Sequence, residues 1–173
     1  MSESNLCDKD KIFANYYRKQ ELQNNIALSF YMQGMYDSAL TYYQKAFDYI
    51  SDHQKADTST FFYDEMAKGV VYGNIGDIYK KRGNFEEAEK NYKKSVAINL
   101  HSSREIIDAQ FSYLKLAELY VDQKKLDQIG IALAEIRKSM DELPNPKGEI
   151  KWNKLSWQYH AFLNNKEKAY QHL

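Results

Sequence analysis

The chain has 173 residues, enough for one domain or one short solenoid with a continuous core, and its 24 Lys plus Arg balance 24 Asp plus Glu to a net charge of zero. That balance argues against a duplex-binding surface and against a polybasic membrane anchor, both of which need a basic excess. A single cysteine, Cys7, rules out an intrachain disulfide, while 2 prolines and 7 glycines leave room for long uninterrupted helices.

The opening residues, Met1 to Asp8, show neither the basic nor the apolar region of a signal peptide. No apolar run approaches the roughly 18 residues of a membrane span. A soluble chain is expected, with the compartment left open between cytoplasm and periplasm. Apolar and small residues then recur in steps of three and four, which place them on one face of a helix. The first two helices are expected at 10–33 and 36–54, carrying Ala27, Phe30, Gly34, Tyr36, Ala39, Tyr43 and Ala46. Ala56-Asp57-Thr58-Ser59-Thr60 reads as the loop that follows. Helices at 60–82 and 85–100 repeat the same steps at Gly76, Tyr79, Gly83, Phe85, Ala88, Tyr92 and Ser95.

A weaker third copy, in helices at 103–122 and 126–142, runs through Ala117, Tyr120, Lys124, Leu126, Ile129, Leu133 and Ile136. A fourth, at 146–163 and 166–173, runs through Trp157, His160, Asn164, Lys166 and Ala169. Helix starts are signalled by Asn84 with Glu87, by the capping box Ser102-Ser103-Arg104-Glu105, and by Asn145 followed by Pro146 at the first helical position. Gly34 and Gly83 stand where a helix must end in a left-handed residue before the chain reverses. Small residues such as Ala27, Gly76, Ala39 and Ala88 allow two helices to approach, and aromatics fill the gaps between layers. Each unit is thus a pair of antiparallel helices that must stack on its neighbours to bury its apolar face. No strand is expected.

The run Gly73-Asn74-Ile75-Gly76-Asp77-Ile78-Tyr79, followed by Gly83-Asn84-Phe85-Glu86-Glu87-Ala88 and Tyr92, resembles a tetratricopeptide repeat. Unit one resembles one well; the third has Lys124 for the turn glycine and Ile129 for the small residue, and the fourth has Trp157 in the small-residue place. The resemblance implies an all-α, right-handed solenoid of seven to eight helices, forming one domain over 1–173 with units at 10–55, 58–101, 102–143 and 145–173. It further implies a scaffold that binds a protein or peptide. The interval from Ala39 to Ala88 is 49 residues, against a common repeat of about 34, which adds about two turns to each flanking helix. Elongated units of this kind resemble those of bacterial signalling receptors and regulators, such as the sensor part of a histidine kinase. A stand-alone adaptor or assembly scaffold is the alternative.

Catalytic chemistry finds no foothold in the sequence. His53, His101, His160 and His172 are scattered without metal-ligand spacing, and Cys7 has no positioned base. Acidic pairs such as Asp64-Glu65 and Glu86-Glu87 are adjacent on helices and point apart. Gly73-Asn74-Ile75-Gly76 lies within a helix, follows no strand and lacks the Lys of a phosphate loop, so Gly73 marks a close approach instead. No catalytic residue, metal or cofactor is expected, and no nucleic-acid partner.

The resemblance places a ligand on the concave surface lined by the first helix of each unit. The residues there are Asn24, Leu28 and Tyr31 in unit one, Gly73, Asn74, Asp77 and Lys80 in unit two, and Phe111, Leu114, Lys115 and Glu118 in unit three. Co-chaperone members of the family grip a terminal carboxylate with two lysines, two asparagines and an arginine. Asn74 matches the middle asparagine, but Asn24, Leu28, Phe111 and Lys115 stand in the other places, so a chaperone adaptor is not expected. The chain also reads as cut inside its last repeat. Trp152, Leu155, Tyr159, Phe162, Tyr170 and Leu173 have no complete layer beyond them, and part of that surface is expected to stay exposed or to meet a second copy of the chain.

Overall fold

Four reversals of one shared geometry divide the chain into helix pairs. The computed structural model describes residues 3–56, 61–101 and 106–170, and among these it holds eight helices and no strand. They are α1 (Glu3–Met32), α2 (Tyr36–Ala56), α3 (Phe61–Lys81), α4 (Phe85–His101), α5 (Ile106–Asp122), α6 (Leu126–Glu142), α7 (Pro146–Phe162) and α8 (Lys166–Tyr170). Each odd helix ends on a residue with positive φ: Gly34 at 74°, Gly83 at 74°, Lys124 at 54° and Asn164 at 55°. The next amide reaches back to a carbonyl in the last turn, from Met35 to Phe30 at 2.9 Å, Asn84 to Tyr79 at 2.9 Å, Lys125 to Tyr120 at 3.0 Å and Asn165 to His160 at 2.9 Å. This closure satisfies carbonyls that a helix end would otherwise leave without a partner. The turn persists in units three and four although neither has the glycine.

Two helix starts behave as their capping residues dictate. Asn84 Oδ1 accepts the Glu87 amide at 3.2 Å, and Asn145 Oδ1 accepts the Gly148 amide at 3.0 Å with Pro146 in the first turn. The expected box at Ser102–Glu105 and the loop residues 57–60 lie outside the described residues. The first helix begins at Glu3 rather than near residue 10. Nothing between Glu3 and Gln33 is a proline or glycine, so no residue there interrupts the ladder. The long interval is carried by α2 and α3, of 21 residues each, where α4 to α7 have 17 each. Across the extended ends of α2 and α3, His53 Nδ1 lies 3.3 Å from Asp64 Oδ2, both residues being buried.

Packing within each pair depends on the small residues. Ala27, Ala39, Ala46, Ala88 and Ala117 are wholly buried, and a Cβ on Gly76 would fall 2.5 Å from the Tyr92 ring. One apolar cluster joins Ala27, Ala39, Tyr43, Ala46, Val71 and Ile78 across α1 to α3. A larger one runs from Ala88 and Tyr92 through Leu114, Leu119 and Ile136 to Leu155. A polar seam crosses this second region. Buried Ser95 Oγ donates to the Gly69 carbonyl at 2.7 Å and meets Ser112 Oγ at 2.8 Å, while Asn99 Nδ2 donates to Ser112 Oγ at 3.3 Å. In unit four Trp157, at the small-residue place, is 38% exposed and Phe162 also 38%, whereas Leu155 is buried. Trp152 is half-buried and donates its indole N–H to the Leu133 carbonyl at 2.9 Å.

Each helix packs on the next in the chain, and α1, α3, α5 and α7 also touch one another in succession. Among the described residues α2, α4 and α6 do not. Helices that meet line the shorter, inner wall of a stack, and helices that splay line the outer one. The result is an α-solenoid whose odd helices form the concave side.

Ala39→Leu and Ala88→Leu should each lower stability by about 1–3 kcal/mol through overpacking at a close approach. Similar shifts in urea midpoint are expected, because the two alanines occupy the same place in their units. Lys124→Gly should act oppositely, raising the midpoint by about 1 kcal/mol of stability as left-handed strain at φ 54° is relieved. Unchanged midpoints in all three variants would refute this account of the turn and the packing.

Candidate groove on the inner helices

The end of each odd helix places its last three turns beside those of its neighbours, and side chains one helix apart then meet across the concave wall. Asn74 Nδ2 on α3 donates to Asn24 Oδ1 on α1 at 3.2 Å. Lys115 on α5 reaches back to α3, with Nζ 2.7 Å from Asp77 Oδ2 and 3.4 Å from the Gly73 carbonyl. Lys80 on α3 reaches forward to Glu118 at 3.3 Å and Asp122 at 2.9 Å, both on α5. Lys151 on α7 closes the series, 3.0 Å from Glu118 Oε2. These ladders tie four consecutive inner helices together.

A groove of about 580 Å³ opens over this network, bordered by Tyr31, Asp77, Lys80, Phe85, Lys115 and Glu118, among others. A neighbouring hollow of about 500 Å³ shares Glu118, Asp122 and Lys151 with it and continues along α7 past Lys147, Ile150 and Lys154. Burial would push the Glu118 carboxyl up, but the ammonium groups of Lys151 and Lys80 outweigh it and hold it below the ordinary carboxylate range. The Tyr92 hydroxyl is pushed far above its ordinary range, first by burial and then by the negative charge of Asp77. It stays protonated and donates to Asp77 Oδ1 at 2.7 Å. Tyr43 is raised in the same way, by burial first and by Asp77 next.

Of the residues expected on this face, Tyr31, Asp77, Lys80, Lys115 and Glu118 come together in the groove. Asn24 and Asn74 pair beside them, and Leu28 is 42% exposed on α1. Two expectations are corrected. Leu114 is wholly buried in the core. Gly73 is also buried, and what approaches it closely is Ser95, whose Oγ would lie 3.3 Å from an added Cβ. Both stand ten positions before the left-handed residue of their unit, a place that in these two units faces inward rather than toward the groove. Phe111 is half-buried and packs on the core.

Sequence reasoning missed Lys151, Lys154 and Gln158, although a signal existed for two of them. Lys151 and Gln158 lie thirteen and six positions before Asn164, as Phe111 and Glu118 lie before Lys124, whereas Lys154 shares the place of the buried Leu114 and had no such signal. Among the described residues, no three His, Cys, Asp or Glu side chains cluster as a metal site would need, and no helix is long and apolar enough to cross a membrane.

Residues 18–101 match the tetratricopeptide repeat family. The fold is similar to that of BtubC (BKLC) from P. vanneervenii, with a TM-score of 0.69 at 14% identity. That likeness covers 89% of this chain but 60% of the other, so the chain spans well under two thirds of its neighbour's length. It is also similar to the N-terminal domain of stress-induced protein-1 (STI-1) from C. elegans, with a TM-score of 0.53 at 16% identity, covering 81% of this chain and 96% of that one. No curated protein sequence matches the chain.

A carboxyl whose folded-state pKa is depressed contributes stability above its unfolded pKa and loses it as pH falls through the folded value. Glu118 is such a group. Glu118→Gln should therefore unfold more readily than the parent at neutral pH, and the gap should close as pH drops below the ordinary carboxylate range. Thermal unfolding across pH checks this; a gap that persists undiminished in acid would mean that the Lys80–Glu118–Lys151 ladder contributes nothing.

Proposed function

We propose, for a chain whose residues 18–101 belong to the tetratricopeptide repeat family, that it is a scaffold holding a segment of a partner protein in the groove along α3, α5 and α7. Such repeats are in general protein-interaction scaffolds and typically non-catalytic. The observation that carries the reading is the groove itself, built from side chains on rigid helices of successive units rather than on loops. Its aromatic border at Tyr31 and Phe85, beside charges of both signs, suits an extended or helical peptide. The ligand contacts proposed are Asn24, Leu28, Tyr31, Asn74, Asp77, Lys80, Lys115 and Glu118, with Phe111 at the edge. Chain 1–173 acts as one repeat domain in this reading, divided at the inter-unit connections.

The scaffold is further proposed to serve as the sensing or regulatory module of a larger signalling protein. The support is the length of α2 and α3, which resembles the elongated units of such proteins. A free-standing adaptor is the competing setting. The natural coding sequence on both sides of residues 1–173 separates the two: a contiguous kinase or DNA-binding region supports the module, and immediate start and stop codons support the adaptor. A second copy of the chain is proposed to contact the α7 surface near Trp157 and Phe162, which sedimentation analysis would register as a dimer.

The test of the groove is a titration of a partner segment identified by crosslinking. Tyr31→Ala and Lys80→Ala should each weaken binding roughly tenfold while helicity is retained. Asn74→Ala and Lys115→Ala should weaken it less. A partner whose affinity ignored all four substitutions would overturn the groove in favour of the convex face.

A further inference from the structure

The chain as a whole is neutral, but its concave wall is not. The two joined hollows are lined by six lysines, at positions 80, 81, 115, 147, 151 and 154, against three carboxylates, Asp77, Glu118 and Asp122. All three carboxylates are engaged by lysines of the wall. Among the described residues Lys81, Lys147 and Lys154 pair with no carboxylate, and all three are exposed. Lys147 and Lys154 stand two turns apart on α7 with Lys151 between them, and Ile150 beside them is 75% exposed. From this placement we infer that the α5–α7 end of the groove takes an acidic stretch of a partner polypeptide, with an apolar side chain of that stretch seated against Ile150.

Charge complementarity supplies the argument. Cations without partners in a concave wall attract and orient an anionic segment, because the surrounding protein excludes part of the screening solvent. The occupant is a peptide rather than a nucleic acid on two grounds. No arginine lines either hollow, and the exposed apolar Ile150 beside the unpaired lysines has nothing to meet on a phosphate backbone. The acidic groups are side chains within the segment and not a terminal carboxylate, since the unpaired lysines are spread out, Lys81 on α3 and Lys147 and Lys154 two turns apart on α7, instead of converging on one point. The inference rests on the groove reading above and names the chemistry of its ligand.

The experiment uses short fluorescent peptides, acetylated and amidated at their ends, with Leu at every fourth position and Glu elsewhere. Counterparts replace Glu by Gln or by Lys or leave the C-terminus unamidated, and an oligothymidine single strand is a further probe. Anisotropy titrations should show the Glu peptide binding best, with affinity falling as sodium chloride is raised. Lys147→Glu combined with Lys154→Glu should weaken it by about tenfold or more. Lys138→Glu, on exposed α6 surface, should not. Circular dichroism would confirm that the variants fold. The inference is overturned if the Gln peptide binds as well as the Glu peptide, if the double reversal has no effect, if only an unamidated peptide binds, or if oligothymidine binds in preference. Gln or Lys peptides that bind in a manner sensitive to Tyr31→Ala would keep the groove reading while removing the acidic specificity. If no peptide binds, the acidic inference fails, and the groove reading is decided by the partner titration.

Discussion

Everything in this molecule hangs on the reversal that follows each odd helix. A single left-handed residue, at Gly34, Gly83, Lys124 and Asn164, sets the phase at which the chain re-enters a helix. Because the phase is shared, the small residue seven positions upstream (Ala27, Gly76 and Ala117 in units one to three) is buried, whereas Trp157 at that place in unit four is 38% exposed. Gly76 against Tyr92 is one instance of a close approach. The close approach within a pair then leaves the odd helices near enough to touch across units, while α2, α4 and α6 splay. Concavity is a consequence of that asymmetry.

The same asymmetry explains why the groove is polar yet ordered. Inner helices in contact cannot all present apolar residues, or the wall would be buried as core. Their facing residues are instead long ions that bridge one helix to the next, Lys115 to Asp77 and Lys80 to Glu118 and Asp122. Exposed ion pairs add little to stability singly. Their role here is geometric, because each pair holds a lysine stem upright along the wall. The outer layers use a different device: Glu89 gathers Lys93, Lys125 and the Tyr120 hydroxyl, linking α4 to the turn after α5.

The fold was largely legible in the sequence because its determinants are local. Steps of three and four, a glycine at the turn, and Asn84 or Asn145 at a helix start need no knowledge of distant residues. The turn at Lys124 was legible only by register, since lysine does not announce it, whereas asparagine at 164 is a residue type that accepts the left-handed region. Half of the groove was legible for the same reason: Asp77, Lys80, Lys115 and Glu118 keep fixed offsets from their turns. Leu114 and Gly73 were misplaced because in their two units that offset faces the neighbouring layer, whereas Asn24 and Lys154 at the same offset do not; whether an inner-helix residue faces groove or layer depends on the crossing of two helices. The seam of Ser95, Ser112 and Asn99 was not legible at all. Serine and asparagine look like surface residues until three helices from two units bring them together.

That seam also bears on the groove. A buried polar cluster costs stability unless its members find partners, so it disfavours any slip of α5 against α3 and α4 that would break the Ser95–Ser112 contact. Ser112 and Lys115 lie less than one turn apart on α5, and Gly69 and Gly73 one turn apart on α3. A slip large enough to part the serines would also draw Lys115 away from Asp77 and the Gly73 carbonyl. The hydrogen bonds that fix the interior register therefore fix the lysine positions on the wall. In a solenoid, where each unit touches only its neighbours, such a lock is needed to keep charges contributed by α3, α5 and α7 at constant separation. A ligand that recognises those charges together is reading the register of the stack.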